Sequence, residues 1–161
     1  MNKIIVGISD LKVSGNTEDV LITYALGSCI AVVVYDPTVK VGGLLHFMLP
    51  DSSLDFNKAR NNPAMFADTG VPLLFKSCYN LGAQKKRMVV KIAGGARILD
   101  NGDHFQIGKK NLTALKKIFW RNNVLIDGED TGSNYNRSVN LDISTGEVMV
   151  RSSDKRHIKE L

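Results

Sequence analysis

Apolar and polar positions follow three patterns along this chain. The first is a continuous apolar run, Ile30-Ala31-Val32-Val33-Val34, followed by a turn signal at Asp36-Pro37-Thr38-Val39-Lys40 and a second apolar stretch from Val41 to Phe47. Two strands folding back antiparallel put Tyr35 near Val41, with facing residue numbers that sum to about 75 to 77. An earlier strand is read over Val20-Leu21-Ile22-Thr23-Tyr24. The second pattern is helical. Val71, Leu74, Phe75, Cys78 and Tyr79 recur at offsets 0, +3, +4, +7 and +8, one apolar face. That helix is opened by Asp68-Thr69 with Pro72 near its first turn and closed near Gly82. A second helix, residues 108–122, turns Leu112, Leu115, Ile118 and Phe119 inward and its lysines outward. The third pattern is a set of short strands. They are Met88–Ala93, stopping at Gly94-Gly95, then Val124–Ile126, Arg137–Ile143, and Val148–Val150 after the Thr145-Gly146 turn. Many short strands with two principal helices predict an α+β fold in a single domain spanning residues 1–161, without repeat, linker or low-complexity segment.

The candidate chemistry sits at the first apolar run. Leu26-Gly27-Ser28-Cys29 places a thiol after a glycine turn and at the lip of a buried strand. Its own backbone N–H and that of Ser28 are free there to point at a substrate oxygen. His46 follows 17 residues later, and the hairpin register brings the stretch from His46 to Met48 opposite Cys29. A free thiol of pKa about 8.5 is mostly protonated at neutral pH, and an adjacent imidazole can take that proton and stabilise the thiolate, which attacks an acyl carbon. The competing reading is two core residues, since buried cysteines are common and histidines often only hydrogen bond. Thr23 precedes the Gly27 turn by four residues. Its hydroxyl can accept from the second imidazole nitrogen and orient the ring, or it can simply be a strand threonine. Gly94-Gly95 either lets a backbone pass close to another element or forms an ordinary turn.

Composition narrows the chemistry. A chain of 161 residues buries roughly 70% of its unfolded surface and needs no disulfide. With neither a leader-like segment nor an apolar span near ~20 residues, the expectation is a cytoplasmic protein with reduced cysteines. Two cysteines and three histidines without close spacing argue against a zinc site. Cys78, on the apolar helix face, reads as core, and His104 and His157 as surface residues. The net charge of +5 comes from the middle of the chain, where residues 76–121 hold 11 Lys and Arg against 2 Asp. That segment is either a patch for an acidic partner or a solvated helix face. A nucleic-acid role is disfavoured by one tryptophan and the lack of a binding motif.

Thr23-Tyr24-Ala25-Leu26-Gly27-Ser28-Cys29 and His46-Phe47-Met48-Leu49-Pro50-Asp51 resemble the CheD family of chemoreceptor glutamine deamidases. The resemblance continues in order through Asp68-Thr69-Gly70-Val71-Pro72-Leu73-Leu74, Lys91-Ile92-Ala93-Gly94-Gly95-Ala96 and Ile107-Gly108-Lys109-Lys110-Asn111. It implies layered β-sheets flanked by helices, related to cysteine deamidase folds. It also implies a catalytic set matching Cys29, His46 and Thr23, with backbone of Gly27 and Ser28 contributing to oxyanion binding, and no cofactor or metal. The implied reaction is hydrolysis of receptor glutamine side chains to glutamate through a thioester. Receptor glutamate methyl esters are an implied second substrate, and a CheC-type phosphatase an implied partner. The family's pattern has glycine where this chain has Ser133 and Asn136, so Tyr135 and Arg137 are given no site role. Two other readings stay open, a non-catalytic regulator of such a phosphatase and a different cysteine acyl-enzyme such as a transamidase.

Overall fold

A computed structural model describes residues 1–97 and 106–161. In chain order the strands and helices are β1 (Asn2–Ile5), β2 (Asp10–Ser14), β3 (Asp19–Leu26), β4 (Ile30–Asp36), β5 (Val41–Phe47), α1 (Phe56–Asn61), α2 (Ala67–Asn80), β6 (Val89–Gly94), α3 (Ile107–Arg121), β7 (Gly128–Thr131), β8 (Arg137–Asp142), β9 (Val148–Ser152) and β10 (Ile158–Glu160). They form two five-stranded sheets, ordered β1-β3-β8-β9-β10 and β2-β5-β4-β6-β7. The expected hairpin is β4–β5. Tyr35 faces Gly42 and Asp36 faces Val41, a register sum of 77.

β4 explains the layering. All seven of its residues are buried, because it lies inside its sheet between β5 and β6 and is covered on both faces. Ile30, Val32 and Val34 enter a core shared with Leu74 and Phe75 of α2 and Leu115 and Phe119 of α3. Ala31, Val33 and Tyr35 point the other way, into a second core with Leu21 and Leu26 of β3 and Val139 and Leu141 of β8. The protein is therefore sheet on sheet with helices on one outer side, an α+β fold of layered β-sheets flanked by two main helices. A strand buried on both faces reads as an unbroken apolar run.

Several elements differ in detail from expectation. The second main helix spans Ile107–Arg121, close to the expected 108–122, and α2 opens at Ala67 with Phe66 as its cap. Asp68 and Thr69 serve elsewhere: the Asp68 carboxylate accepts from Ser52 N and Oγ, and the Thr69 hydroxyl donates to Pro63 O. Pro72 consequently sits inside the helix. Gly82 closes α2 at φ +102, with Ala83 N donating to Cys78 O and Gly82 N to Tyr79 O, the paired bonds of a Schellman cap. Val124–Ile126 is not a strand. Val124 N wraps back to Phe119 O while Val124 and Ile126 pack against the helix-side core, and the ladder with β6 starts at Gly128, opposite Lys91. Strands β1, β2 and β10 and helix α1 carry too short a pattern to be read from periodicity. No helix among the described residues is long and apolar enough to cross a membrane.

Candidate active site

Thr23 and His46 meet across the two sheets. On β3, Thr23 shares the inward face of Leu21, and on β5, His46 shares that of Leu44, because alternate residues of a strand point the same way. Both residues are fully buried. The Thr23 hydroxyl lies 2.7 Å from His46 Nδ1 and 2.7 Å from the Val6 carbonyl oxygen. A carbonyl can only accept, and the hydroxyl has one proton. Both bonds form together only if Thr23 donates to Val6 O and accepts from Nδ1–H. That assigns the imidazole tautomer and leaves Nε2 as a bare lone pair, buried and without a hydrogen-bond partner among the described residues.

Beyond Thr23 the chain is bent toward the other sheet. Thr23 pairs with Val139 but Leu26 with Arg137, so one extra residue is inserted on β3, and Ala25 takes a left-handed φ of 58°. This bulge re-aims the strand end, which then crosses to β4 through Gly27, Ser28 and Cys29. Each carbonyl of that crossing is anchored. Gly27 O accepts from Ala96 N at 2.9 Å, Ser28 O from Asn111 Nδ2 at 3.0 Å and Cys29 O from Gly95 N at 2.9 Å. The amides of Gly27, Ser28 and Cys29 make no backbone hydrogen bond among the described residues.

Gly94-Gly95 is the close approach. A Cβ on Gly94, whose φ is +109°, would stand 2.3 Å from Cys29 O. Gly108 plays the same part for α3, since a Cβ there would come within 2.5 Å of Ala96 O. Gly94 thus lets the end of β6 press against the Cys29 crossing, and Gly108 lets the first turn of α3 press against Gly95 and Ala96.

Cys29 packs against the inter-sheet core with Ala31 and Val33. Its place is one residue before Ile30, which faces Phe47, while His46 faces Ala31. Thiol and imidazole are therefore on neighbouring strands at one end, in the diagonal relation expected from the hairpin. Burial raises the thiol to about 11, offset in part by its own backbone N–H, and burial lowers His46 to about 4. Burial thus disfavours the charged form of each group, and no hydrogen bond joins the thiol to His46 Nε2 among the described residues.

The other singled-out residues fall outside this cluster. Cys78 is fully buried on α2, its thiol pushed up to about 12 by burial. His157 is exposed and stacks on Tyr135 at 5.1 Å. His104 lies outside the described residues. Arg137 is buried, donating to Asp130 at 3.2 Å and to Gly132 O at 2.9 Å, as suits a structural residue. Some of the basic segment is used internally: Arg87 pairs with buried Asp36 at 2.9 Å and Lys116 with Glu129 at 3.3 Å. Sequence reasoning gave Asn111 no role, although a polar residue on the buried stripe of α3 was a usable signal. The β3 bulge had no such signal.

The family model described as CheD chemotactic sensory transduction matches residues 48–152. The chain is 67% identical over 153 residues to the probable chemoreceptor glutamine deamidase CheD 1 of Syntrophus aciditrophicus, covering 95% of this chain and 96% of that protein. It is 45% identical over 161 residues to the probable chemoreceptor glutamine deamidase CheD of Solibacter usitatus, covering 100% and 94%. To the protein of that name from Pyrococcus horikoshii it is 40% identical, covering 94% and 93%.

Proposed function

The chain belongs to the CheD family, and on that premise we propose that it is a cytoplasmic, cysteine-dependent protein-glutamine deamidase acting on chemotaxis receptors. The observation that carries this reading is the Thr23 hydroxyl placed between Val6 O and His46 Nδ1. It leaves Nε2 as the only basic position of a ring that stays neutral down to about pH 4, on the strand face shared with Cys29.

In the proposed reaction His46 Nε2 takes the Cys29 proton as Sγ bonds to the carboxamide carbon of a glutamine. The carbonyl oxygen becomes an oxyanion, received by backbone N–H groups of the Gly27–Cys29 crossing, an effect worth ~3 to 4 kcal/mol per donor. His46 then gives its proton to the leaving nitrogen, the C–N bond breaks, and ammonia departs from a thioester. Water attacks that thioester with its proton passing to Nε2, releasing glutamate and the thiol. Thr23 holds the ring in one tautomer throughout. The same steps with methanol as leaving group would hydrolyse a glutamate methyl ester, and the family resemblance extends the proposal to a CheC-type phosphatase partner.

Mass spectrometry of receptor cytoplasmic fragments tests the reading. Wild type should add about one mass unit at specific glutamines, the amide-to-acid change of this acyl transfer, and Cys29→Ala should add none. Equal conversion by both proteins would overturn it.

A further inference from the structure

On α3, Gly108, Asn111, Leu115 and Phe119 are the buried residues, spaced by three and four along the helix. Asn111 is therefore a polar group on an apolar stripe, fully enclosed. Its Nδ2 donates to two carbonyls, Ser28 O and Met48 O, each at 3.0 Å. Those oxygens can only accept, so the orientation of the amide is fixed and both of its protons are used. Oδ1 is buried without a partner among the described residues. One bond reaches the crossing that carries Cys29, the other the residue two positions after His46.

The Ser28 carbonyl shares its peptide plane with the Cys29 N–H, and in a trans peptide the two point in opposite directions. A donor that draws Ser28 O toward α3 therefore turns the Cys29 N–H away from α3. The flanking carbonyls of Gly27 and Cys29 are held by backbone amides of Ala96 and Gly95. The middle one depends on a side chain.

We propose that Asn111 is a positioning residue for acyl transfer: by holding the Ser28 carbonyl it sets the plane of the Ser28–Cys29 peptide, and so the N–H that meets the oxyanion formed when Cys29 attacks. The inference rests on the reading of Cys29 as an acyl-accepting nucleophile. The bond to Met48 O ties the same peptide to the end of the histidine strand, so oxyanion donor, thiol and base keep a common geometry.

Two reagents separate this role from a merely structural one. With p-nitrophenyl acetate, Sγ bonds to the carbonyl carbon, the thiol proton passes to His46, an oxyanion forms, and p-nitrophenolate leaves. With iodoacetamide, Sγ displaces iodide at a saturated carbon and no oxyanion forms. Acylation and alkylation rates of Cys29 are to be measured for wild type, Asn111→Ala and the isosteric Asn111→Asp, with Cys29→Ala as background and melting curves for all.

In the Asn111 variants the ratio of acylation to alkylation should fall by about 10- to 100-fold, the scale of a misdirected oxyanion donor, with alkylation within about threefold of wild type. An unchanged ratio in either folded variant overturns the inference. So does a parallel fall of both rates, which would make Asn111 a holder of the thiol, and so does failure of both variants to fold. If Cys29→Ala reacted with p-nitrophenyl acetate as fast as wild type, the nucleophile reading itself would fail, and this inference with it.

Discussion

Replacing Thr23 with valine keeps the branched shape and strand preference but leaves two polar groups without their partner, the Val6 carbonyl and the His46 Nδ1–H. Thr23 and His46 are 0% exposed and Val6 is 1% exposed, so water cannot replace the hydroxyl. Each orphaned group costs about 1 to 3 kcal/mol, together about 2 to 6. A domain of this size loses roughly 2 to 4 °C of melting temperature per kcal/mol, so the valine variant should melt roughly 5 to 20 °C lower. This is more than a surface strand threonine would give. The catalytic loss has a separate origin. Without the acceptor nothing favours the Nδ1–H tautomer: surrendering a preference of about 1.5 to 3 kcal/mol lowers the tautomer ratio by roughly 10- to 100-fold but takes the productive fraction only from near one to about one half, so a fall in turnover beyond about twofold reports the lost orientation of the ring. Initial deamidation rates on a receptor fragment, taken well below each variant's melting point, read that term apart from unfolding. Thr23→Ser restores the hydroxyl and should recover most of the rate while losing about 1 kcal/mol for its missing methyl. Full turnover by Thr23→Val, or a serine variant as slow as the valine one, would refute the reasoning.

Further outcomes follow from burial. Iodoacetamide should modify Cys29 in the native protein and Cys78 only after denaturation, because Cys78 is fully enclosed; with Cys29 raised to about 11, its labelling rate should still be climbing at about pH 9.5. Preferential native labelling of Cys78 would reverse the assignment of the two thiols. His46, lowered from 6.5 to about 4, takes up its proton in the unfolded chain before it does in the folded one. Its contribution is therefore fully present above pH 6.5 and is lost as pH falls from 6.5 through 4, by about 3 kcal/mol in all. Urea unfolding of wild type and His46→Asn across that range isolates this slope from the carboxylates. The acid limb of kcat/KM should also lie near 4; a limb near 6.5 would mean the ring is solvated.

The local sequence determined the hairpin, both main helices, and the placing of Cys29 and His46 on neighbouring strands at one sheet end. These depend on short-range patterns: a turn signal fixes the register of β4 on β5, and a 3.6-residue period fixes the buried face of α2. Gly94-Gly95 allowed either a close approach of backbones or an ordinary turn, and only the packed structure decides for the approach, made to Cys29 O. The motif around Thr23 matched a family pattern, while its residue type alone was equally that of any strand. What made it a hydrogen-bond partner of His46 is the packing of one sheet on the other, a contact between residues of different sheets that no strand period encodes. The same holds for Asn111, separated from Ser28 by 83 residues and brought to it by the docking of α3. Protonation, too, was decided there. A resting thiolate presumes solvated acidities, whereas enclosure between layers disfavours the charged form of thiol and imidazole alike. Periodicity tells a residue which side of its element to face; only the assembled layers decide what it meets on that side and how much water remains.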